Sequence, residues 1–159
     1  MRKRIFHPPT QRSEPLPSVK DCLELERLAL VEITSEDTAF PIESALLPGT
    51  GPGWRAAHSG EQTIRLLFDE PQNLRRISLL FEETEAARTQ EFVLRWAVAE
   101  GHPWQEIVRQ QWNFSPHGSR REVEDYHVHL SDVAMLELQI VPDKSGGPAR
   151  ATLTQMCLA

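Results

Sequence analysis

His127-Val128-His129 is the segment whose spacing comes nearest to metal chemistry. Residues two apart on a strand face the same way, so the two imidazoles would converge on one ion. A third ligand would come from His117 or Asp125. The opposite face carries Tyr126, Val128 and Leu130, which look like a core set. That pattern puts both histidines on the solvent face, so no metal site is expected. Nucleophilic catalysis finds no support, since the chain has neither a Gly-x-Ser-x-Gly elbow nor a His-Glu-x-x-His helix. No spacing of carboxylates marks a general acid/base pair, and Glu82, Glu83 and Glu85 read as a solvated charge run. The expectation is a non-enzyme with no cofactor.

Recognition chemistry is better represented. Trp112 is followed by Asn113, His117, Arg120 and Arg121, and Arg55 lies close to His58. An aromatic face with amide and guanidinium donors suits a sugar, whose C–H face stacks while its hydroxyls take hydrogen bonds. The same set suits a protein hot spot, where Trp and Arg are enriched. Trp112 as one more buried strand residue is the third reading. Trp96, at strand spacing with Phe92 and Leu94, reads as core. The pairs Arg75-Arg76 and Arg120-Arg121 read as solvated or locally salt-bridged.

These residues sit in a chain of 159 residues, the size of one domain. Its net charge of −6 is uneven: residues 1–20 hold five basic residues and one acidic residue, and the remainder carries −10. An acidic body lacks the clustered Lys and Arg that phosphate contacts need, so nucleic acid is not the expected partner. The arm reads as a solubilising tail or as a contact for an anionic partner. Pro8, Pro9, Pro15 and Pro17 keep it extended or flexible. Pro8, Pro9 and Gln11 also interrupt any apolar region after the basic start. No apolar run approaches the roughly 18 residues that span a bilayer. The expectation is a cytoplasmic protein with an arm over residues 1–20 and a domain over 21–159. Cys22 and Cys157 lie near the two ends of that domain. Terminal strands brought together would place them side by side, to pair in an oxidising compartment. In the cytoplasm the default is two reduced thiols. They have no Cys/His spacing for a structural zinc.

The domain reads as short strands separated by turns. Leu28–Thr34 is a strand with Leu28, Leu30 and Glu32 at alternate, exposed positions. Residues 34–52 are polar and turn-rich, a long surface loop of the kind that often carries binding. Thr63–Phe68 alternates, Asp69–Asn73 turns, and Leu74–Phe81 follows with Ile77, Leu79 and Phe81 on one face. Glu82–Thr89 is a loop. Glu91–Ala99 shares Phe92, Leu94, Trp96 and Val98 on one face, and Glu100–Pro103 is a turn. Trp104–Phe114, Tyr126–Leu130, Met135–Val141 and Ala151–Leu158 complete the set, with loops over 115–124 and 142–148. Turns about every ten residues argue for a sandwich or barrel.

The ordered series resembles the galactose-binding, discoidin-like domains. Trp54-Arg55 follows a Gly/Pro-rich loop and precedes the alternating strand Gln62–Phe68. Then come Leu74–Phe81, Phe92–Gly101 with Trp104, and Met135–Val141. The resemblance covers roughly residues 28–158. It implies an all-β fold, an antiparallel β-sandwich of jelly-roll type, with binding as its usual work and Trp54 and Trp104 packing the sandwich. Relatives with a structural calcium hold it with acidic or amide side chains before the Trp. Here Leu46–Gly51 offers only backbone carbonyls and Thr50, so calcium is not expected. Cys22 and Cys157 fall roughly where extracellular relatives place a terminal disulfide. Locally, Trp54-Arg55-Ala56-Ala57 with Gly60-Glu61 and Thr63-Ile64 is similar to the N-terminal domain of the eukaryotic scaffold protein of DNA single-strand-break repair. That similarity spans about a dozen residues and implies only the same fold.

The function expected is therefore a non-catalytic module binding a glycan through loops at one end. The expected contacts are Arg55, His58, Trp112, His117 and Arg120. The alternative is an intracellular protein-interaction module anchored by its 1–20 arm. A metal-dependent enzyme centred on His127 and His129 is the third reading.

Overall fold

The computed structural model describes residues 21–47, 49 and 51–159. The arm expected over residues 1–20 lies outside the described residues, as do Pro48 and Thr50 of the loop weighed for calcium. Among the described residues, two one-turn helices, α1 (Leu25–Leu28) and α2 (Glu43–Leu46), accompany eight strands. These are β1 (Ala29–Ile33), β2 (Trp54–Ser59), β3 (Gln62–Glu82), β4 (Arg88–Ala97), β5 (Gln105–Phe114), β6 (Arg121–Val141), β7 (Arg150–Leu153) and β8 (Gln155–Leu158). All pairings are antiparallel.

The two 21-residue strands build both layers. Residues 62–67 of β3 pair with 135–140 of β6, and with β1, β4 and β5 they make the first sheet. Residues 74–82 of β3 pair with 121–130 of β6, and β8 joins them to make the second, the two being the halves of one continuous six-stranded sheet. Between the halves the register shifts repeatedly over residues 67–76. Bulges bend a strand and re-aim its pairing, which lets this one pair of strands serve both layers. The turn expected at Asp69–Asn73 is this bend: its residues are largely exposed, but β3 runs through it. β2 and β7 form a separate two-stranded ribbon.

Alternation explains the core. Ile64, Leu66 and Phe68 point inward from the first half of β3, and Ile77, Leu79 and Phe81 from the second. Phe92 and Leu94 of β4 are fully buried. Phe81 stacks on Phe92 at 5.3 Å between centroids, joining layers that share no hydrogen bonds there. Each such side chain contributes about 1.5–3 kcal/mol on burial. Leu30 and Glu32 face out as expected, while Leu28, expected to be exposed, ends α1 and packs on the core with Ala29, Val31 and Ile33. Trp54 is buried, its Nε1 donating to the Ser35 carbonyl at 3.2 Å. Trp96 is half-buried against the core.

Gly53 delivers Trp54 into that core. Its φ of 89° lies in the left-handed region, and an added Cβ would stand 2.6 Å from the Leu153 carbonyl oxygen. Gly53→Ala is expected to cost at least about 2 kcal/mol, because both strain and backbone contact oppose it. Denaturant unfolding checks this, and an unchanged midpoint would contradict it.

The structure joins Cys22 and Cys157 as a disulfide, with Cα atoms 5.3 Å apart. Of the two states the sequence leaves open, paired or reduced, the structure has the paired one. Leu23 N–H donates to the Leu158 carbonyl at 2.7 Å, so the backbones are already in register beside the bridge.

One part of the interior is polar. Gln90 and Glu122 are both fully buried, and Gln90 Nε2 donates to Glu122 Oε1 at 3.3 Å. Glu122 Oε2 has no protein partner of this kind. Burial first, then the neighbouring Glu124 carboxylate, pushes the Glu122 carboxyl up to about 8. Glu124 in turn accepts from the Tyr126 hydroxyl at 2.9 Å.

Candidate binding site at the loop end of the sandwich

Strand ends converge at one end of the molecule. β2 finishes at Ser59 opposite Arg150, β3 at Glu82 opposite Arg121, and β4 begins at Arg88 opposite Phe114. Loops 83–87, 115–120 and 142–149 therefore share this end. A cleft of about 510 Å³ opens there, lined by Arg55, residues 82–88, Asp143, 148–150 and Thr152. Its size falls within the range of small-molecule sites.

Asp37 organises one wall. Arg55 Nε and Nη2 both donate to Asp37 Oδ2, at 3.2 and 2.7 Å, and Arg150 Nη1 reaches the same oxygen at 3.3 Å. The Arg55 guanidinium also lies 4.0 Å over the Phe40 ring. Hydrogen bonding from Arg55 and from the Ala39 N–H holds Asp37 below the usual carboxylate range. Two guanidinium groups are thus fixed side by side at the cleft with donors to spare.

The opposite wall is the 83–87 loop, which the sequence reads as solvated. Glu83 Oε1 accepts from the N–H groups of Glu85 and Ala86, and its Oε2 binds Arg88 Nε at 2.8 Å. Arg88 is itself buried, stacked 4.6 Å over Phe114 and donating to the Pro142 carbonyl at 2.7 Å. Burial pushes Glu83 up, but Arg88 and the two N–H groups more than offset it and hold its carboxyl low. Glu83 is therefore an anchor rather than a loose surface charge. Two buried atoms of the lining, Arg88 Nη2 and Thr152 Oγ1, lack a protein hydrogen-bond partner.

Glu91 pins the third loop. It accepts from Gln111, Lys144 and Arg109, which lower its carboxyl to about 2. Lys144 Nζ reaches it at 2.9 Å and Lys144 N–H donates to the Thr89 carbonyl at 2.8 Å. The Asp143 side chain closes an Asx turn onto Ser145. Such loops present side chains from a rigid scaffold.

The residues expected from sequence fall as follows. Arg55 lines the cleft. His58 is exposed near the end of β2, one residue before the Ser59–Arg150 pair. His117 and Arg120 are exposed on the 115–120 loop, and the Arg120 carbonyl accepts from the Glu83 N–H at 2.8 Å. These four thus share the loop end. Trp112 lies apart from them. It is opposite Gln90 on β5, half-buried against the core, with its Nε1 buried and without a protein partner. Its indole packs as a strand residue and does not line the cleft. Sequence reading missed Asp37 and Arg150, which lie in stretches taken as loop or turn border.

His127 and His129 are exposed, alternating with Tyr126, Val128 and Leu130, which pack on the core. Among the described residues no group of three or more His, Cys, Asp or Glu is placed to hold a metal ion. No helix among them is long and apolar enough to cross a membrane. Arg76 is salt-bridged rather than solvated, its Nε and Nη2 meeting Asp125 at 2.7 and 2.6 Å. Trp104, expected to pack the sandwich, instead lines a surface cleft with Arg65.

Solved structures share this architecture. A family 32 carbohydrate-binding module from a family 31 glycoside hydrolase of Clostridium perfringens superposes with a TM-score of 0.63 at 14% identity, covering 87% of this chain and 94% of that one. The fold is the discoidin-like β-sandwich. A pectin-binding carbohydrate-binding module gives 0.57 at 18% identity, over 83% and 90%. The family 32 module of C. perfringens NanJ, in complex with galactose, gives 0.57 at 13% identity, over 82% and 92%. No protein-family model matches the chain. No curated protein sequence matches it either.

Proposed function

We propose that this protein is a non-catalytic glycan-binding module whose ligand sits in the loop-end cleft. The observation that carries this reading is the pairing of Arg55 and Arg150 on Asp37 beside the carboxylates of Glu82, Glu85 and Asp143. Hydroxyls both donate and accept, so a polyhydroxylated ligand matches a cleft lined by guanidinium donors and carboxylate acceptors. Exposed His58, His117 and Arg120 extend that surface. Trp112 is left out of the contact set because its indole is packed. The fold shared with modules named for galactose and pectin binding supports the ligand class. Glu83 is committed to Arg88 and held low, which is poor preparation for a general acid.

The Cys22–Cys157 bridge favours an oxidising compartment over the cytoplasm suggested by the N-terminal residues. A glycan-array screen of the full chain tests the reading. Saturable binding to a group of related sugars is the expected result. Silence across the array, from protein shown to be folded, would reject it in favour of the protein-interaction module.

A further inference from the structure

A second cleft, of about 310 Å³, lies away from the loop end, between the outer face of the first sheet and the turn joining β4 to β5. That turn leaves β4 at Ala97, the end of the strand remote from Arg88. The floor is apolar, from Leu67 and Met135, with Trp104 beside it. Glu32, Glu100 and His102 stand around it. A small pocket with an aromatic wall and a few polar groups is the usual form of a small-ligand site.

We propose that this cleft is a second binding site, for a single neutral pyranose ring. Arg65 makes the site rigid. Its Nε and Nη2 donate to Glu137 Oε2 at 3.1 and 2.7 Å, its Nη1 reaches Glu32 Oε2 at 3.4 Å, and its guanidinium lies 5.4 Å from the Trp104 ring centre. Glu137 is itself buried and also takes Arg95 Nη1 at 3.3 Å. A ladder of charges across four strands therefore fixes the groove wall before any ligand arrives. Trp104 is half-buried, so its indole is both anchored and available. An indole supplies a large apolar surface for the C–H face of a sugar, and carboxylates accept from its hydroxyls. The charge balance sets the specificity. Two carboxylates line the cleft, and the one guanidinium there is already paired with Glu137 and Glu32. The Glu100 carboxylate repels a uronic acid or other anionic sugar and the Arg65 guanidinium is committed to Glu137 and Glu32, so the site favours neutral rings.

The site is independent of the loop-end cleft, and the test keeps the two apart. Methyl β-galactoside, methyl glucoside and methyl mannoside are titrated into ¹⁵N-labelled full-length protein, with glucuronate as the anionic control. The readout is the indole Nε1–H signal of Trp104, assigned by its loss in Trp104→Phe. The expected result is a saturable shift with at least one neutral hexoside and a much weaker response to glucuronate. Glu100→Gln and His102→Ala should each weaken it by about tenfold or less, the worth of one hydrogen bond to a charged or polar group. Arg150→Ala should leave it unchanged. A Trp104 signal that no hexoside moves would overturn the proposal. So would a shift abolished by Arg150→Ala, which would place all binding at the loop end.

Discussion

Breaking the Cys22–Cys157 disulfide is expected to lower stability by about 2–5 kcal/mol and the melting temperature by roughly 5–15 °C. The bridge joins residues 135 apart, so it closes nearly the whole domain into one loop. A cross-link restricts the unfolded chain most when the loop is long. On the folded side it ties the segment before α1 to β8, whose partner strand is the second half of β3. The Leu23 N–H bond to Leu158 survives reduction, so the loss should appear in the unfolding midpoint without a change of fold. Thermal unfolding of the oxidised protein, the reduced protein and Cys157→Ala measures it. Equal melting temperatures, with two thiols titratable in the untreated native protein, would contradict the account.

Glu122→Gln is expected to stabilise the protein at alkaline pH and to leave it unchanged in mild acid. In the unfolded chain this carboxyl loses its proton near 4.5, whereas burial and Glu124 keep it protonated in the folded protein up to about 8. Folding therefore takes up a proton across that window. The contribution is fully present below 4.5 and is lost as pH rises through about 8. The amide imitates the neutral acid and still accepts from Gln90 Nε2. Wild type and variant should coincide below about pH 4 and separate by on the order of 3–5 kcal/mol above pH 8. Denaturant unfolding at a series of pH values reads this directly. Parallel curves for the two proteins would show that Glu122 does not carry the proton.

The strands were legible because their alternation is local. Ile64, Leu66 and Phe68, then Phe92 and Leu94, each mark a buried face within a few residues. The continuity of β3 through Pro71 was not legible, because exposed turn-forming residues also suit a bulged bend between two sheets. The start of β6 at Arg121 was hidden by a polar run whose one buried member, Glu122, reads as a surface residue. Glu83 looked like part of a solvated acidic run because its partner Arg88 is buried by Phe114, opposite it on β5, and by Pro142, just past the end of β6, both far along the chain. Arg55 was found through the Trp-Arg pattern. Arg150 and Asp37 were not, since only the folded chain brings residue 37 against residue 150. Trp104 shows the limit of carrying a role over from a family pattern. The turn was placed correctly, but the ring faces a cleft rather than the core.

The most direct test of the glycan-binding reading is calorimetric titration of an array-selected glycan into the full chain carrying Trp104→Ala, which removes the aromatic wall of the sheet-face cleft. The comparison is the same protein with Arg150→Ala added. Arg150 is partly exposed and packs no core, so melting temperatures should match. One-site binding is expected, weakened by about tenfold or more by Arg150→Ala through the loss of charge-assisted hydrogen bonds. Equal affinity in the two proteins, at equal melting temperature, would contradict it.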